Sequence, residues 1–445
     1  MKAAQKQLLV TRKLAQKIVR PTVRWLGYAM AWNYPRVYLN LLVRWKLRKS
    51  DYYKLVQSCR PDQAKFPQDA SKTSICSSSS KKRILYVIHW YELGGAESYA
   101  LYTIKTAREL GHSCYCISTV PSTNKERPAF EKYCIETLNY TATEPSENFQ
   151  RFVSSYIKNH SIDVVHIHHS ALMYEALPAI KGEFPQLLIV DSTHIVEYGN
   201  GGFPQLSARN SACIDRHNVI SKNLIMVQRA LFQQSFGSEL QTEKFHLTYL
   251  SGLTEVVDFE AHEPNRHPKV VAFYGRLVLQ KQPHIFLATV EDLFARYPAL
   301  SVEAHIYGEG EMEDALKARI SRSKFKNRIR FLGRCDDKKR VFGNTDILLL
   351  TSLNEGLSLT TFEALSYGRL VVSSDVGAQS ELLCQECLIP LTPHLIENAA
   401  TRLFEFLSDN NKYSDALEKN VRNLDCIREQ EVNKAAVNSL YAIDL

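Results

Sequence analysis

Short apolar runs alternate with longer segments of helical length through most of the chain. Six runs of the buried-strand type lie in the first half, at residues 84–88, 114–119, 164–168, 187–191, 219–221 and 245–249. A polar stretch at 258–268 follows, and the pattern restarts at 270–274, 302–307, 329–332, 347–351 and 370–374. Apolar strands that alternate with helices form parallel, doubly wound sheets. The pattern predicts an α/β protein of two Rossmann-like domains that face a cleft, with ligands at the carboxyl ends of the strands.

The two ends of the chain differ from these halves in composition. Residues 66–80 are rich in Pro, Gln, Asp and Ser and end in four consecutive serines, which is typical of a flexible linker. We therefore predict five segments, which are a basic amphipathic extension (1–65), a Ser-rich linker (66–81), an N-terminal Rossmann-like domain (82–260), a C-terminal Rossmann-like domain (269–430) and a C-terminal helical tail (431–445).

The positive charge of the chain is concentrated at its N-terminal end. The formal net charge is +8, and residues 1–50 contain twelve Lys or Arg but no Asp or Glu. The remaining basic residues are outnumbered by the 47 Asp and Glu, so the rest of the chain is slightly negative. A nucleic-acid-binding body is not indicated, and we expect no nucleic acid among the partners.

The same N-terminal segment has an amphipathic pattern. Tyr38, Leu41, Leu42 and Trp45 recur at i, i+3, i+4 and i+7, which predicts one shared helical face. Further aromatic and basic side chains accompany them, namely Trp25, Tyr28, Trp32, Arg44, Lys46, Arg48 and Lys49. Two interpretations stay open: an extension packed on its own body, or a segment that lies flat on an anionic membrane surface. The second, through residues 1–50, is favoured because basic residues are attracted to such a surface.

Neither a signal peptide nor a membrane span is indicated. The least charged early stretch, at 25–35, falls short of the roughly 20 residues that a span requires. We expect a cytoplasmic protein that is peripheral on the cytoplasmic face of the membrane. The ten scattered cysteines are typical of reduced thiols. Cys384 and Cys387 lack a second Cys or His pair, and His166 and His168 lack a third ligand, so no metal site is predicted.

Charged residues lie on two strand-end loops of the second half. Arg276 and Lys281 follow one strand at a spacing that can grip a diphosphate. The loop at 352–361 contains glycine and leads from another strand into a helix, so its backbone N–H groups and the helix dipole favour an anion. Glu355 and Glu363 straddle this anion site. Because carboxylates repel phosphate, we expect them to bind hydroxyl groups of a sugar or ribose.

These residues resemble the family 4 retaining glycosyltransferases, which have the GT-B fold. Arg276 and Lys281 match the family's Arg-x4-Lys pattern, and Glu355 and Glu363 match its Glu-x7-Glu pattern. Comparable elements fall at 308–310, 331–333 and 375–381. The resemblance covers roughly residues 82–385 and implies an N-terminal acceptor domain and a C-terminal nucleotide-sugar donor domain.

The resemblance implies a role for each matching residue. The catalytic residues would be His194, Arg276, Lys281 and Glu355. Arg276 and Lys281 would hold the diphosphate, while Glu355 would contact hydroxyls of the transferred sugar. Glu363 would accept hydrogen bonds from the ribose, and Gly308, Leu332 and Gly333 would lie near the base. The donor-binding residues would be Gly94, Gly95, Gly308, Leu332, Gly333, Gly356, Leu357, Ser358, Leu359, Thr360 and Glu363. The alternative for His194 is a packing histidine with no part in the reaction.

The implied reaction is a retaining, metal-independent hexosyl transfer without a cofactor. A nucleotide sugar is the expected donor, with UDP-sugars favoured, and a glycan or lipid-linked molecule in cell-envelope or surface polysaccharide synthesis is the expected acceptor. A GT-B epimerase or phosphorylase, and a catalytically silent membrane-bound scaffold, remain alternatives, although a scaffold has no need of the intact charged set. A nicotinamide-dependent dehydrogenase is disfavoured because Glu313 stands where a Gly-x-Gly-x-x-Gly motif from Gly308 needs its third glycine.

Three positions depart from the family's pattern. Ser358 stands where a second glycine is frequent, Arg369 where a proline is usual, and Ala378 where the second glycine of a Gly-Gly pair is usual. We expect the first change to alter the phosphate loop slightly and the other two to be peripheral.

Overall fold

The computed structural model describes residues 27, 29–59, 81–92, 94–140, 146–238, 242–249, 268–429 and 434–442. Two parallel β-sheets covered by helices form an N-terminal and a C-terminal domain, and helices near both chain ends pack against them. Residues 1–26, most of the predicted Ser-rich linker and most of the polar stretch at 258–268 lie outside the described residues. Among the helices described, none is both long and apolar enough to cross a membrane.

The N-terminal segment is helical and rests on the body of the protein. It consists of α1 (Pro35–Leu41), a π-helical turn (Leu42–Leu47) and α2 (Asp51–Ser58). Leu39, Val43 and Leu47 are buried in the same core cluster as the C-terminal domain. The Ser50 hydroxyl donates to the Tyr198 carbonyl of the N-terminal domain. This part of the predicted extension therefore packs on both domains. Its buried side agrees with the interpretation of an extension that packs on its own body.

The N-terminal domain contains a seven-stranded parallel sheet of order β3-β2-β1-β4-β5-β6-β7. Its strands are β1 (Arg83–Ile88), β2 (Ser113–Ser118), β3 (Glu136–Asn139), β4 (Val164–His168), β5 (Leu188–Thr193), β6 (Arg216–Val219) and β7 (Phe245–Leu247). Its helices are α3 (Gly95–Glu109), α4 (Arg127–Glu131), α5 (Ser146–His160), α6 (Ala171–Glu183), α7 (Gly202–Arg209) and α8 (Lys222–Phe236). The order is that of a Rossmann sheet with one added edge strand.

The C-terminal domain repeats this order with six strands, β10-β9-β8-β11-β12-β13. The strands are β8 (Lys269–Tyr274), β9 (Val302–Tyr307), β10 (Ile329–Gly333), β11 (Ile347–Leu350), β12 (Leu370–Ser374) and β13 (Leu388–Ile389). The helices are α9 (Pro283–Arg296), α10 (Glu313–Ser321), α11 (Lys338–Gly343), α12 (Leu359–Ser366), α13 (Leu395–Ser408) and α14 (Asn410–Glu429). The predicted GT-B architecture of two Rossmann-like domains is confirmed.

Burial explains why the strands could be recognised in the sequence. Every residue of β4, β11 and β12 is buried, because helices cover both faces of a parallel sheet. Such strands are mostly apolar in sequence, although β4 includes two buried histidines and β12 two buried serines. The edge strands β3 and β13 escaped prediction because they are short, and β3 carries Glu, Thr and Asn. The run expected at 219–221 begins earlier, as β6, whose first three residues are polar.

The last described helix, α15 (Lys434–Tyr441), returns to the N-terminal domain. Its Val437, Leu440 and Tyr441 are buried in the cluster that also holds residues of β1 and β2. The Tyr441 hydroxyl lies 2.8 Å from the Tyr86 hydroxyl and 2.9 Å from Nδ1 of His166. The C-terminal end of the chain therefore ties the two domains together.

The predicted face of Tyr38, Leu41, Leu42 and Trp45 is divided in the structure, which corrects that interpretation. Leu42 is buried and Tyr38 is partly buried, whereas Leu41 and Trp45 are 43% and 64% exposed. Helical spacing predicts which residues share a side, but it does not show where the body covers that side. The boundary between core and solvent therefore runs through the predicted face.

Candidate active site

Both sheets have a topological switch point, and the predicted site residues lie at these points. The strand order reverses between β1 and β4 in one sheet and between β8 and β11 in the other. Crevices outside the carboxyl ends of such strands are the usual ligand sites of open α/β sheets. The glycine pair 94–95 follows β1, the loop 275–282 follows β8, and the loop 351–358 follows β11. The fold thus gathers residues that are far apart in the sequence.

The two switch points face each other across the domain cleft. A Cβ placed on Gly95 would lie 3.8 Å from Cδ1 of Leu359 in the opposite domain. A Cβ on Gly356 would lie 3.0 Å from the carbonyl carbon of His194 and closer still to its oxygen. His194 follows β5 and Gly356 follows β11, so the backbones of the two domains come into contact here. Only glycine fits at position 356 without a shift of one domain.

Lys281 and Glu355 form an ion pair within the site. Nζ of Lys281 lies 2.6 Å from Oε1 of Glu355, and the two side chains are 18% and 6% exposed. They come from neighbouring strand-end loops, after β8 and β11. Because an ammonium group has three N–H donors, Lys281 can hold Glu355 and still donate to a phosphate oxygen. Two predicted catalytic residues are thereby in direct contact.

Arg276 occupies the exposed side of the same loop. Its side chain is solvent-exposed and forms no ion pair at salt-bridge distance with any residue in the described ranges. Glu97, which follows the glycine pair in the opposite domain, interacts electrostatically with Arg276. Burial raises the pKa of Glu97 to about 7. The sequence patterns gave Glu97 no role, although it lies two residues after the glycine pair.

The loop after β9, near the predicted base site, requires glycine at two positions. A Cβ on Gly308, whose φ is +146°, would collide with the carbonyl oxygen of Gly275. A Cβ on Gly310 would lie 2.6 Å from the carbonyl oxygen of Leu277. The backbones of this loop and of the loop after β8 are also hydrogen-bonded, since the Leu277 N–H donates to the Glu309 carbonyl at 2.8 Å. Close backbone packing therefore fixes the loop that carries Arg276.

Gly333 and Leu332 end β10 beside this packing. The Gly308 N–H donates to the Gly333 carbonyl at 2.8 Å, and Gly333 has a φ of +69°. Leu332 is 42% exposed, which leaves an apolar side chain at the rim. The structure thus places all three predicted base-site residues at neighbouring strand ends.

The predicted phosphate loop ends at the N-terminus of α12. Leu357 is buried, and Ser358 precedes the helix with a φ of −73°. That angle suits any residue, so serine at this position leaves the backbone unstrained. The N–H groups of Leu359 and Thr360 belong to the first turn, where helix amides have no intrahelical partner. Unpaired amides and the helix dipole favour an anion at such a helix end, in agreement with the predicted phosphate loop.

The other two departures also have structural consequences. The Arg369 N–H donates to the Ala364 carbonyl at 2.9 Å, a bond that proline could not make. Gly377, with a φ of +59°, approaches the carbonyl of Glu355, while the Ala378 N–H donates to the Gly356 carbonyl at 3.0 Å. The loop after β12 therefore supports the backbone of the Glu355–Gly356 loop.

Glu363 and Gly94 have close partners of their own. Oε1 of Glu363 lies 2.6 Å from Nζ of Lys338, and the Glu363 side chain is 13% exposed. Gly94 is the N-cap residue of α3 in extended conformation, and a Cβ at this position would displace the Glu97 carboxylate, which lies directly over it. Glu363 therefore lies in α12 and is already paired with a cation, and its contact with a ribose stays a prediction.

His194 is a buried, neutral imidazole at the cleft. Its backbone N–H donates to Nε2 of His169 at 3.3 Å, and its ring meets Tyr99 edge-on at 5.2 Å. Burial lowers the pKa of His194 to about 3. Both ring nitrogens are buried and without a hydrogen-bond partner in the described part of the chain.

A carboxylate from the C-terminal domain caps a helix of the N-terminal domain. Glu381 accepts from the N–H groups of Lys222 and Asn223 at 3.1 and 2.8 Å, and from the Tyr249 hydroxyl at 3.1 Å. The N-terminus of α8 favours negative charge. The motif at 375–381 included Glu381, but the sequence could not reveal its partners, which are more than 100 residues away.

The sequence analysis predicted no metal site at the histidine pair or the cysteine pair, and within each pair the two side chains lie close to each other. The rings of His166 and His168 have centroids 4.1 Å apart, and Sγ of Cys384 lies 3.6 Å from Sγ of Cys387. Within the described ranges, no three His, Cys, Asp or Glu side chains are grouped to hold a metal ion.

Two Rossmann-like sheets whose switch points face each other across a cleft are the architecture of the GT-B fold. Residues 268–409 match the profile of the family described as Glycosyl transferases group 1. The chain thus resembles these glycosyltransferases, as its motifs predict. The match covers most of the C-terminal domain, including Arg276, Lys281, Glu355 and Glu363.

Related proteins with similar sequences are also named as glycosyltransferases. The phosphatidylinositol N-acetylglucosaminyltransferase of Homo sapiens has a subunit that is 24% identical over 262 residues, which are 56% of this chain and 51% of that protein. The lipopolysaccharide core biosynthesis mannosyltransferase LpcC of Rhizobium leguminosarum bv. viciae is 32% identical over 123 residues, 27% of this chain and 34% of that protein. The matches span about a third to a half of these two relatives.

Solved structures share the fold over most of the chain. The lipopolysaccharide outer core galactosyltransferase WaaB superposes with a TM-score of 0.62 at 16% identity, over 80% of this chain and 97% of that one. Anabaena HepE in complex with UDP-glucose gives a TM-score of 0.59 at 18% identity, over 81% and 98% of the two chains. At these identities the likeness is one of fold.

Proposed function

We propose that the protein is a retaining glycosyltransferase that moves a sugar from a nucleoside diphosphate to an acceptor hydroxyl. The observation that carries the proposal is the group formed by Arg276, Lys281 and Glu355. It lies at the switch point of the C-terminal domain, beside the N-terminus of α12 and across the cleft from His194. Cations suit a diphosphate, and the carboxylate and imidazole suit sugar hydroxyls.

The donor diphosphate would bind between the cationic loop and α12. Arg276 can offer a forked set of N–H donors, and Lys281 and the first-turn amides of α12 add further donors. Glu355 holds Lys281 in place through its 2.6 Å contact and keeps its second oxygen for a sugar hydroxyl. In this arrangement Glu363 takes the ribose, and the glycine backbones at 308 and 333 flank the base.

The reaction needs charge stabilisation more than proton transfer from the protein. The bond between the anomeric carbon and the leaving phosphate oxygen breaks while the acceptor oxygen attacks from the same face. The acceptor proton passes to the leaving phosphate, so that atoms and charges balance. Arg276, Lys281 and the α12 amides meet the charge that grows on the diphosphate. His194, as a neutral imidazole, orients the sugar, and no metal ion is required.

The names of related proteins support the donor and acceptor classes. Anabaena HepE binds UDP-glucose, and the pneumococcal O-GlcNAc transferase GtfA binds UDP and GlcNAc. Several relatives are named for lipopolysaccharide or phosphatidylinositol. We therefore favour a UDP-sugar donor and a glycan or lipid-linked acceptor in envelope or surface polysaccharide synthesis, with the enzyme peripheral on the cytoplasmic face of a membrane.

A panel of nucleotide sugars tests donor binding. Wild-type protein should show a raised unfolding temperature with one nucleotide sugar, because a ligand that binds only the folded state stabilises it. Arg276→Ala should weaken this shift, whereas Arg322→Ala, which removes another exposed arginine of the same domain, should not. No shift with any nucleotide sugar, or equal shifts in all three proteins, would contradict the proposal.

Product analysis separates transfer from the alternatives. With the selected donor and a simple acceptor, nuclear magnetic resonance should show a new glycoside with the anomeric configuration of the donor. An epimerase would release a nucleotide sugar with one inverted centre, and a phosphorylase would need inorganic phosphate. A silent scaffold would bind the donor without turnover. An inverted glycoside would overturn the retaining mechanism alone.

A further inference from the structure

Exposed apolar side chains are concentrated on the N-terminal helical segment. Seven large apolar residues are exposed in the described part of the chain, and four of them fall within residues 34–45. These four are Tyr34, Val37, Leu41 and Trp45, with exposures of 66%, 51%, 43% and 64%. Their spacing of three, four and four residues places them along one side of a helix. We call this set the apolar stripe.

The opposite side of the segment fixes the direction of the stripe. Leu39, Val43 and Leu47 are buried in the core of the body. Arg36 makes ion pairs of 2.5 Å with both Asp292 and Glu397 of the C-terminal domain. The helix therefore cannot turn its apolar stripe inward, since doing so would expose the packed side. The stripe is a permanent surface of the folded protein.

Unpaired positive charge flanks the stripe. Arg44, Lys46, Arg48 and Lys49 are all exposed, and none forms an ion pair with a residue that the structure describes. Nζ of Lys49 lies 4.6 Å from the ring centroid of Trp45. Arg44 and Arg48 also line an open cavity of about 440 Å³ together with residues 392–394, which precede α13. No acidic residue occurs in residues 1–50 to neutralise this face.

We propose that the apolar stripe and its flanking cations form a docking surface for an anionic lipid membrane. An apolar face bordered by Lys and Arg is the pattern of helices that lie in the headgroup layer. The apolar side chains would enter the boundary between headgroups and acyl chains, while the cations meet lipid phosphates and Arg44 and Arg48 direct one headgroup toward their cavity. The surface goes beyond sugar transfer and is independent of the donor site.

Vesicle co-sedimentation of the full chain tests this surface. The probe vesicles contain phosphatidylcholine with about a third phosphatidylglycerol, and pure phosphatidylcholine vesicles serve as the neutral reference. Leu41→Ser with Trp45→Ser should lower the partition coefficient by at least about ten-fold, because each change removes a large apolar contact. Arg44→Gln with Arg48→Gln should lower it by about ten-fold at low salt and have little effect on neutral vesicles.

Matched controls remove similar groups elsewhere. Ile135→Ser with Phe236→Ser changes two other exposed apolar residues, and Arg322→Gln with Lys326→Gln removes two other exposed charges. Both controls should sediment as wild type. Because every changed side chain is exposed, all variants should keep the wild-type unfolding temperature and its shift with a nucleotide sugar.

Three outcomes would overturn the docking surface. The first is unchanged vesicle binding in both the Leu41/Trp45 variant and the Arg44/Arg48 variant, which would assign any binding to another part of the chain. The second is an equal loss in the controls. The third is a wild-type dimer that the Leu41→Ser and Trp45→Ser changes convert to monomer, since the stripe would then bind a second copy. A missing nucleotide-sugar shift with intact vesicle binding would instead count against the proposed function alone.

Discussion

Substitution of Gly356 by alanine probes the contact between the two domains. The added Cβ would lie 3.0 Å from the His194 carbonyl carbon and closer to its oxygen, whereas real Cβ atoms essentially never approach within 3.0 Å. Both atoms belong to backbone, so no side chain can rotate away. The domains, or the loop itself, would have to separate by roughly 1 Å, and a misplacement of that size can cost about 100-fold in rate.

The assay is steady-state release of the nucleoside diphosphate from the donor found in the panel. Gly356→Ala should lower kcat/KM by about 100-fold without global unfolding, because each domain keeps its own core. Gly182→Ala is the control, since nothing lies within 4 Å of its added Cβ in the last turn of α6. It should be active and more stable by up to about 1 kcal/mol. Wild-type turnover in Gly356→Ala would refute the described contact of the two backbones as a requirement for catalysis.

Three further predictions follow from buried groups and from the cationic loop. Tyr441→Phe removes a buried hydroxyl that bonds Tyr86 and His166, so urea unfolding should show a loss of about 1–3 kcal/mol; an unchanged midpoint would contradict this. Burial lowers the pKa of His166, His194 and His284 to about 3, while an unfolded chain takes up these protons near pH 6.5. The contribution of these histidines to the free energy of unfolding should therefore be fully present above pH 6.5 and fall toward pH 3, by up to about 1.4 kcal/mol per pH unit for each histidine. Urea midpoints that rise on acidification would contradict this prediction. Turnover should survive excess EDTA; activity that chelation abolishes and Mn²⁺ or Mg²⁺ restores would show that the cationic loop needs a metal.

Most of the fold could be predicted from local patterns of apolar and polar residues. Strands that are buried on both faces are mostly apolar, so β1, β4, β11 and β12 could be recognised in the sequence. Short edge strands with polar residues, such as β3, leave no such signal. The loops that carry the predicted cations and carboxylates follow β8 and β11. They could be predicted because each motif is a short pattern within one domain.

Contacts between distant parts of the chain could not be predicted in this way. Glu381 caps α8, Tyr441 bonds residues of β1 and β4, and His194 touches Gly356, yet each partner is separated by more than 100 residues. The N-terminal segment shows the same limit. Its periodicity predicted an apolar face, but the position of the body on that face decides that Leu42 is buried and Trp45 is exposed.

The most direct measurement of the central claim compares donor turnover in wild type and Arg276→Ala. Arg276 is exposed and outside the core, so its removal should leave the fold intact. Loss of a cation that stabilises the leaving diphosphate should lower the release of nucleoside diphosphate by about 30- to 1000-fold. Arg322→Ala should turn over the donor at the wild-type rate. A folded Arg276→Ala protein with near-wild-type turnover would contradict the assignment of this loop to the donor diphosphate.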